Sequence, residues 1–196
     1  GGVNSVATWG DLAAAAVEAE DRQQPGKVVF FDLSGHILAA LPAGALPDML
    51  TFTPNGAHVV VANEGEPLDY CSPGLANDPE GSVTIIDVPE DRSELASATV
   101  RTADFHSIYA ALHPEVRFFG PNASPAQDLE PEYIAVADDS KTAYVTLQEA
   151  NAIAVVDLAT GTVTALHALG TKDHSQRVHQ LDASDRDDAV RLGTWP

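Results

Sequence analysis

Residues 131–166 read PEYIAVADDSKTAYVTLQEANAIAVVDLATGTVTAL, and this stretch decides the fold. Short runs of apolar and β-branched residues alternate with turn-forming residues such as Asp, Ser and Gly. Such runs are typical of β-strands, and such breaks are typical of tight turns. The pattern predicts a unit of four short antiparallel strands, with a glutamate after the second strand and an aspartate at the end of the third.

The same order of elements occurs twice earlier in the chain. Residues 4–41 read NSVATWGDLAAAAVEAEDRQQPGKVVFFDLSGHILAAL, and residues 47–67 read PDMLTFTPNGAHVVVANEGEP. After an acidic loop, the second copy continues as PEGSVTIIDV over residues 79–88. Third strands are predicted at 28–32, 83–87 and 153–157, and weaker fourth strands in two copies, at 36–41 and 162–166. Repeated four-stranded antiparallel units are the signature of β-propeller blades.

A β-sandwich is the main alternative, because it also consists of many short strands. The repeated internal register favours the all-β propeller. A propeller needs about four to eight blades to close, so three units predict a segment of a larger propeller, which we expect to have seven blades. We expect further blades beyond both ends, because the chain has neither an initiator Met nor a signal peptide.

One partial propeller domain is therefore expected over residues 1–196. Its blade-like units are predicted at about 1–45, 46–88 and 129–170, with an inserted excursion at 89–128 and an acidic polar tail at 171–196. Within the excursion, we expect a short helix in residues 92–112 and a strand at 116–119.

The composition excludes several classes of partner. The formal net charge is −19, from 29 acidic and 10 basic residues, so the cationic surface that binds nucleic acid or anionic membranes is missing. No apolar run is long enough for a membrane span. The single cysteine, Cys71, excludes an internal disulfide. No nucleophile-elbow or phosphate-loop motif is present, and the histidines lack zinc-ligand spacing.

Carboxylates recur at equivalent positions of the three units. The alignment places a polar residue at the start of each first strand and two more after each second strand: Asn4, Asp48 and Glu132; Glu18, Glu64 and Glu149; Glu20, Glu66 and Asn151. Equivalent positions of successive blades form a ring around the propeller axis, so these side chains are expected at one mouth of the central channel. Oxygen ligands gathered in this way suit calcium or magnesium.

Surface solvation is the alternative reading of these carboxylates. The recurrent Asp32, Asp87 and Asp157 are interpreted as turn formers that accept backbone hydrogen bonds. Residues 182–188 have the composition of a calcium loop but lack the Gly and the closing Glu of an EF-hand.

Four strings resemble the choice-of-anchor I family of bacterial propeller proteins. They are LPDMLTFTPNGAHVVVANEGEP (46–67), DPEGSVTIIDV (78–88), QDLEPEYIAVADDSKTAYVTLQEANAIAVVDL (127–158) and LGTKDHS (169–175). The resemblance extends over nearly the whole chain. It implies a secreted or cell-surface protein, often tethered by one of several C-terminal anchors. Some relatives carry alkaline-phosphatase or phytase-like labels.

PEGSV (79–83) and EPEYIAV (130–136) are also similar to the pattern of phytase-like propellers, in which carboxylates hold calcium ions that bind phosphate. This similarity implies a set of calcium ligands, which are Glu80, Glu130, Glu132 and Glu149, followed by Glu64 and Glu66. Few basic residues accompany them, and only Arg117 and Lys172 are suggestively placed, so phosphate binding would depend on the metal charge.

Two functional hypotheses follow. The first is a calcium-binding surface propeller with an adhesion or scaffold role, whose partners are the remaining blades of the same polypeptide and a surface protein or glycan. The second is a calcium-dependent phosphoesterase that acts on a phosphate ester. Because exposed sheet edges need covering, a homo-oligomer or other assembly is also expected.

Overall fold

The structure is a computed structural model that describes residues 1–70, 77–120, 122–184 and 186–193. Cys71, Asp185 of the acidic segment 182–188 and the final Trp195-Pro196 lie outside these ranges.

Within the described residues, twelve strands form three antiparallel sheets of four strands each, and every sheet is built from strands that are consecutive in sequence. The first sheet contains β1 (Val3–Trp9), β2 (Leu12–Val17), β3 (Pro25–Asp32) and β4 (Ile37–Ala45). The second contains β5 (Pro47–Phe52), β6 (His58–Asn63), β7 (Ser82–Asp87) and β8 (Val100–Ala103). The third contains β9 (Pro131–Val136), β10 (Thr142–Leu147), β11 (Ala152–Asp157) and β12 (Thr162–Ala168).

The three sheets pack face to face in chain order, and the first strand of the second sheet, β5, contacts both β1 and β9. One core cluster, which includes Phe30 and Leu50, fills the space between the first and second sheets. A second cluster, which includes Ile85 and Leu147, fills the space between the second and third. The second sheet is therefore covered on both faces, which explains why consecutive residues of β6 and β7 are buried.

Asn63, at the end of β6, is a buried polar residue that joins the first two sheets. Its Oδ1 accepts a hydrogen bond from the backbone N–H of Gly44 in β4 at 3.0 Å. Its amide donates to the Ser82 carbonyl at 3.2 Å and to Thr84 Oγ1 at 2.9 Å. A Cβ at Gly44 would lie 2.7 Å from Asn63, so glycine is required for this close approach.

The predicted excursion at 89–128 includes the fourth strand of the second sheet, β8, which pairs with β7. Two 3₁₀-helices, Arg92–Ser97 and His106–Ala111, flank β8, and a short α-helix, Pro125–Asp128, follows. Residues 89–103 thus belong to the second blade, which extends beyond its predicted end at residue 88. The short β8 has two adjacent polar residues, Arg101 and Thr102, at its centre, so its apolar pattern is weak.

The prediction of a strand at 116–119 was wrong, because these residues form a loop. Their backbone N–H groups donate hydrogen bonds to acceptors that lie outside the sheets. Arg117 N donates to the Ala150 carbonyl at 2.9 Å, and Phe119 N donates to the carboxylate of Asp128.

The polar tail contains a 3₁₀-helix at Arg177–His179 and an isolated bridge between Leu181 and Gly193. No helix among the residues that the structure describes is long and apolar enough to cross a membrane.

Candidate binding site

Strand direction brings the predicted carboxylates to one edge of the second and third sheets. Asp48 and Glu132 are the second residues of β5 and β9, while Glu64 directly follows β6 and Glu149 lies two residues after β10. In an antiparallel pair, the start of one strand lies beside the end of its neighbour. We call the group formed by Asp48, Glu64, Glu66, Glu130, Glu132 and Glu149 the carboxylate cluster.

Glu64 lies at the electrostatic centre of this cluster. Burial raises its pKa to about 8, and repulsion from Glu66, Asp48, Glu132 and Glu130 adds to the rise. Burial also raises the pKa of Asp48 and that of Glu132, the latter with further repulsion from Glu149, Asp48 and Glu66. Carboxylates of the second and third blades therefore interact unfavourably when they are all ionised.

Glu130 is the most deeply buried member, with 1 % of its surface exposed. Its Oε1 accepts a hydrogen bond from the Tyr70 hydroxyl at 2.9 Å, whereas its Oε2 is buried without a partner in the described part of the chain. Burial raises the pKa of Glu130 to about 8, although the Tyr70 hydrogen bond opposes the rise. A half-satisfied buried carboxyl is costly for folding.

The second blade shows that the fold itself does not require this carboxyl. Glu130 and Leu46 each directly precede the proline that begins a first strand, and both have left-handed backbones, with φ of 34° and 47°. Leu46 is also buried, with 3 % exposed. The same backbone position thus accepts leucine in one blade and glutamate in the next, so the backbone does not dictate the costlier choice.

Two of the sequence-predicted positions have other partners. Glu80 accepts a hydrogen bond from His106 Nε2 at 3.0 Å, and this bond with the nearby charge raises the pKa of His106. Glu18, which is equivalent to Glu64, accepts from the Gly2 N–H at 3.0 Å. The first blade instead contributes Arg22, which forms an ion pair with Glu66 at 2.6 Å.

The recurrent aspartates at the ends of the third strands have two different roles. Asp32 accepts hydrogen bonds from the Ser34 hydroxyl and from the backbone N–H groups of Ser34 and His36, which lowers its pKa. Asp157 accepts from the backbone N–H and the hydroxyl of Thr160, which lowers its pKa as well. Asp87 instead contacts His58 Nδ1 at 3.0 Å and forms an ion pair with Arg101. Arg101 also donates to the Leu158 carbonyl and so ties the second blade to the third.

A cleft of about 510 Å³ lies beside the carboxylate cluster, lined by Glu66, Tyr70, Arg117, Phe119, Gln148 and Glu149. We call it the aromatic cleft. The rings of Tyr70 and Phe119 stack with centroids 5.8 Å apart, and the Arg117 guanidinium lies 5.2 Å from the Phe119 centroid. Sequence reasoning noted Arg117 but missed both aromatic rings, because their loops carry no repeat. Tyr70 lies in a polar loop and Phe119 ends an apolar run, so no shared sequence pattern connects them.

The donor chemistry of the cluster fits a hard cation, because every donor is a carboxylate oxygen and two of these atoms, Glu130 Oε2 and Glu149 Oε2, are buried without partners in the described residues. The spacing is not that of a preformed site. Within 1–70, 77–120, 122–184 and 186–193, no three His, Cys, Asp or Glu side chains are arranged to hold a metal ion. Metal binding would require these side chains to move together.

Comparison with solved structures supports the propeller fold. Hydrazine synthase from Kuenenia stuttgartiensis matches 86 % of the chain with a TM-score of 0.55 and 14 % identity, and the match covers 50 % of that protein chain. The β-propeller domain of Cps50 (Swd1) from Myceliophteria thermophila matches 87 % of the chain with a TM-score of 0.50 and 9 % identity. The match covers 44 % of that chain. The chain therefore spans about half the length of these structures.

Three packed four-stranded sheets with their first strands together are β-propeller blades, so the predicted all-β propeller class is confirmed. The chain belongs to the choice-of-anchor I family, since the family model for the choice-of-anchor I domain matches residues 1–196. The resemblance noted in the sequence is thereby confirmed. No curated protein sequence matches the chain.

Proposed function

We propose that this propeller segment is a calcium-binding module with an adhesion or scaffold role on the outside of the cell. The observation that carries the proposal is the burial and crowding of the carboxylate cluster, because burial, with added repulsion from neighbouring carboxylates, raises the pKa of Glu64 and of Glu130 to about 8. A bound cation relieves this repulsion and supplies counter-charge to the cluster, at whose edge Arg22 pairs with Glu66.

Calcium suits the cluster better than a transition metal does. The donors are oxygens, and calcium accepts six to eight oxygen ligands in flexible geometries. This flexibility matters because the side chains must rearrange to bind an ion. Glu64, Glu130, Glu132 and Glu149 are the proposed ligands, with Glu66 and Asp48 beside them. Glu80 is left out of this set because His106 binds it.

Family membership supports the location. The family is named for its anchoring, and the acidic composition of the chain suits a protein that binds extracellular calcium. The remaining blades of the polypeptide and a surface partner, or a second copy of the chain, complete the proposed assembly.

Calorimetric titration with calcium tests the proposal, together with thermal melting in calcium or in chelator. We expect binding that raises Tm, because a ligand that binds only the native state stabilises it. Glu132→Gln should weaken binding by at least about tenfold, since a charged ligand contributes on the order of 1.4 kcal/mol or more. Glu18→Gln, at the position equivalent to Glu64 but outside the cluster, should bind as the wild type does. If calcium at millimolar concentration produces no binding heat and no shift in Tm, the calcium site is refuted.

A calcium-dependent phosphoesterase is the second candidate, and the observation in its favour is Arg117. Its guanidinium lines the aromatic cleft beside Glu66 and Glu149 and has no ion pair within the described residues. It is therefore free to bind a phosphate. Hydrolysis of p-nitrophenyl phosphate with calcium, lost with chelator and in Arg117→Ala, would favour this candidate. Calcium binding without hydrolysis would exclude the phosphoesterase and support the calcium-binding module.

A further inference from the structure

We propose that the aromatic cleft binds a saccharide through the stacked rings of Tyr70 and Phe119 and the polar groups of Arg117, Gln148 and Glu149. The inference rests on the proposed binding role and names its ligand class, but it does not depend on calcium.

The apolar part of the cleft has the chemistry that the C–H face of a sugar ring requires. The Tyr70 and Phe119 rings are inclined by 29° and remain 39 % and 37 % exposed. Exposed aromatic rings inside a concave site offer a flat apolar surface with little conformational freedom to lose on binding.

The polar part of the cleft provides both hydrogen-bond acceptors and donors. Glu149 lines the cleft, and its buried Oε2 has no hydrogen-bond partner in the described chain, so rotation of the carboxylate would present an unused acceptor to a ligand. The Arg117 guanidinium can only donate, while the Gln148 side chain both donates and accepts. Sugar hydroxyls match this mixture because each can donate to a carboxylate and accept from a guanidinium or amide.

This mixture favours a hydroxyl-rich ligand over a simple ion. A lone anion would meet the charges of Glu66 and Glu149, and an organic cation would meet Arg117, which already lies over Phe119. A volume of about 510 Å³ lies within the range of about 300–1,000 Å³ that is usual for small-molecule sites.

The cleft is held in place by contacts from several parts of the fold. The Tyr70 hydroxyl donates to buried Glu130, which fixes that ring against the start of the third blade. The loop that carries Arg117 and Phe119 is fixed by the backbone bonds to Ala150 and Asp128. A site fixed in this way loses little entropy when a ligand binds.

Probing an array of immobilised bacterial and plant oligosaccharides and polysaccharides with the labelled protein, in chelator, tests this inference. Calorimetry with the strongest binder then compares variants. Phe119→Ala and Arg117→Ala should each weaken binding at least tenfold. Phe118→Ala is the matched control, because Phe118 is similarly exposed but does not line the cleft. Melting curves show whether each variant is folded. If Phe119→Ala does not fold, Arg117→Ala still tests the inference.

The outcomes separate this inference from the calcium proposal. Saccharide binding that survives chelation and Glu132→Gln, but not Phe119→Ala, supports the inference. Absence of binding to every saccharide on the array overturns it, as does binding that is unchanged in both cleft variants. Calcium binding is measured in a separate titration, so failure of the calcium proposal would not change the result of the saccharide test.

Discussion

Raising the pH from 5 to 8 in the presence of a chelator should destabilise the protein through Glu64. In the unfolded chain, this carboxyl loses its proton near its ordinary pKa of 4.5, whereas the folded protein keeps the proton until about pH 8. Between these values the native state binds more protons than the unfolded state. The free energy of unfolding therefore falls as the pH rises through this window, and the stability contributed by protonated Glu64 is lost above pH 8.

The size of the effect follows from the same values. One carboxyl that is protonated only in the native state lowers the free energy of unfolding by about 1.4 kcal/mol for each unit by which the pH rises. Across pH 4.5–8 the upper limit for Glu64 is about 5 kcal/mol, which counter-ions and side-chain movement reduce. Glu130 acts in the same direction over the same range. The pKa of His106 is also raised, so its contribution to stability is lost as the pH rises.

Comparison of variants isolates the part due to Glu64. Urea unfolding at intervals between pH 5 and pH 8 should give a free energy that falls less steeply in Glu64→Gln than in the wild type, by up to about 1.4 kcal/mol per pH unit. Glu18→Gln should follow the wild type, because Glu18 lies outside the cluster. Added calcium should reduce the wild-type slope, because it favours the ionised carboxylates. Equal slopes in the wild type and Glu64→Gln would refute the raised pKa of Glu64, and with it the burial and repulsion assigned to this carboxyl.

Two further predictions concern the packing between blades. Gly56→Ala should lower the free energy of unfolding by at least about 2 kcal/mol more than Gly10→Ala, as measured by urea unfolding. Both glycines have positive φ, but only a Cβ at position 56 would overlap the Trp9 indole; equal losses would contradict this reason. Asn63→Ala should cost about 2–4 kcal/mol, since it leaves several buried groups unpaired, whereas the exposed Asn4→Ala should cost under about 1 kcal/mol. A loss for Asn63→Ala no larger than that of the control would show that water replaces its hydrogen bonds.

The sequence was sufficient for most of the architecture because the strands repeat. Residues 131–166 predicted the four strands of the third sheet, and the same register located the strands of the first. The missed strand, β8, is only four residues long and partly exposed, so its hydrophobic pattern is too weak to read. The apolar run at 116–119 has strand-like composition, but its backbone binds loop groups instead of a sheet.

The candidate site was only partly predictable, for a different reason. Repetition placed Glu64, Glu132 and Glu149 at blade ends, and strand direction brings them to one edge. The contact between Tyr70 and Glu130 joins residues 60 positions apart in sequence, and the blade repeat does not predict it because the residue equivalent to Glu130 in the second blade is Leu46. The left-handed backbone shared by Leu46 and Glu130 is also invisible in the residue types, since neither is a residue that usually adopts it.

The bridge formed by Asn63 has a consequence for how the protein assembles on synthesis. An isolated second sheet would leave the Asn63 Oδ1 without the Gly44 donor, and the core between the sheets would be open to water. Neither blade is therefore complete alone, and the smallest cooperative folding unit is a pair of adjacent blades. In such a chain, stability comes from the junctions as much as from the blades, so each newly made blade is secured only when its neighbour is present.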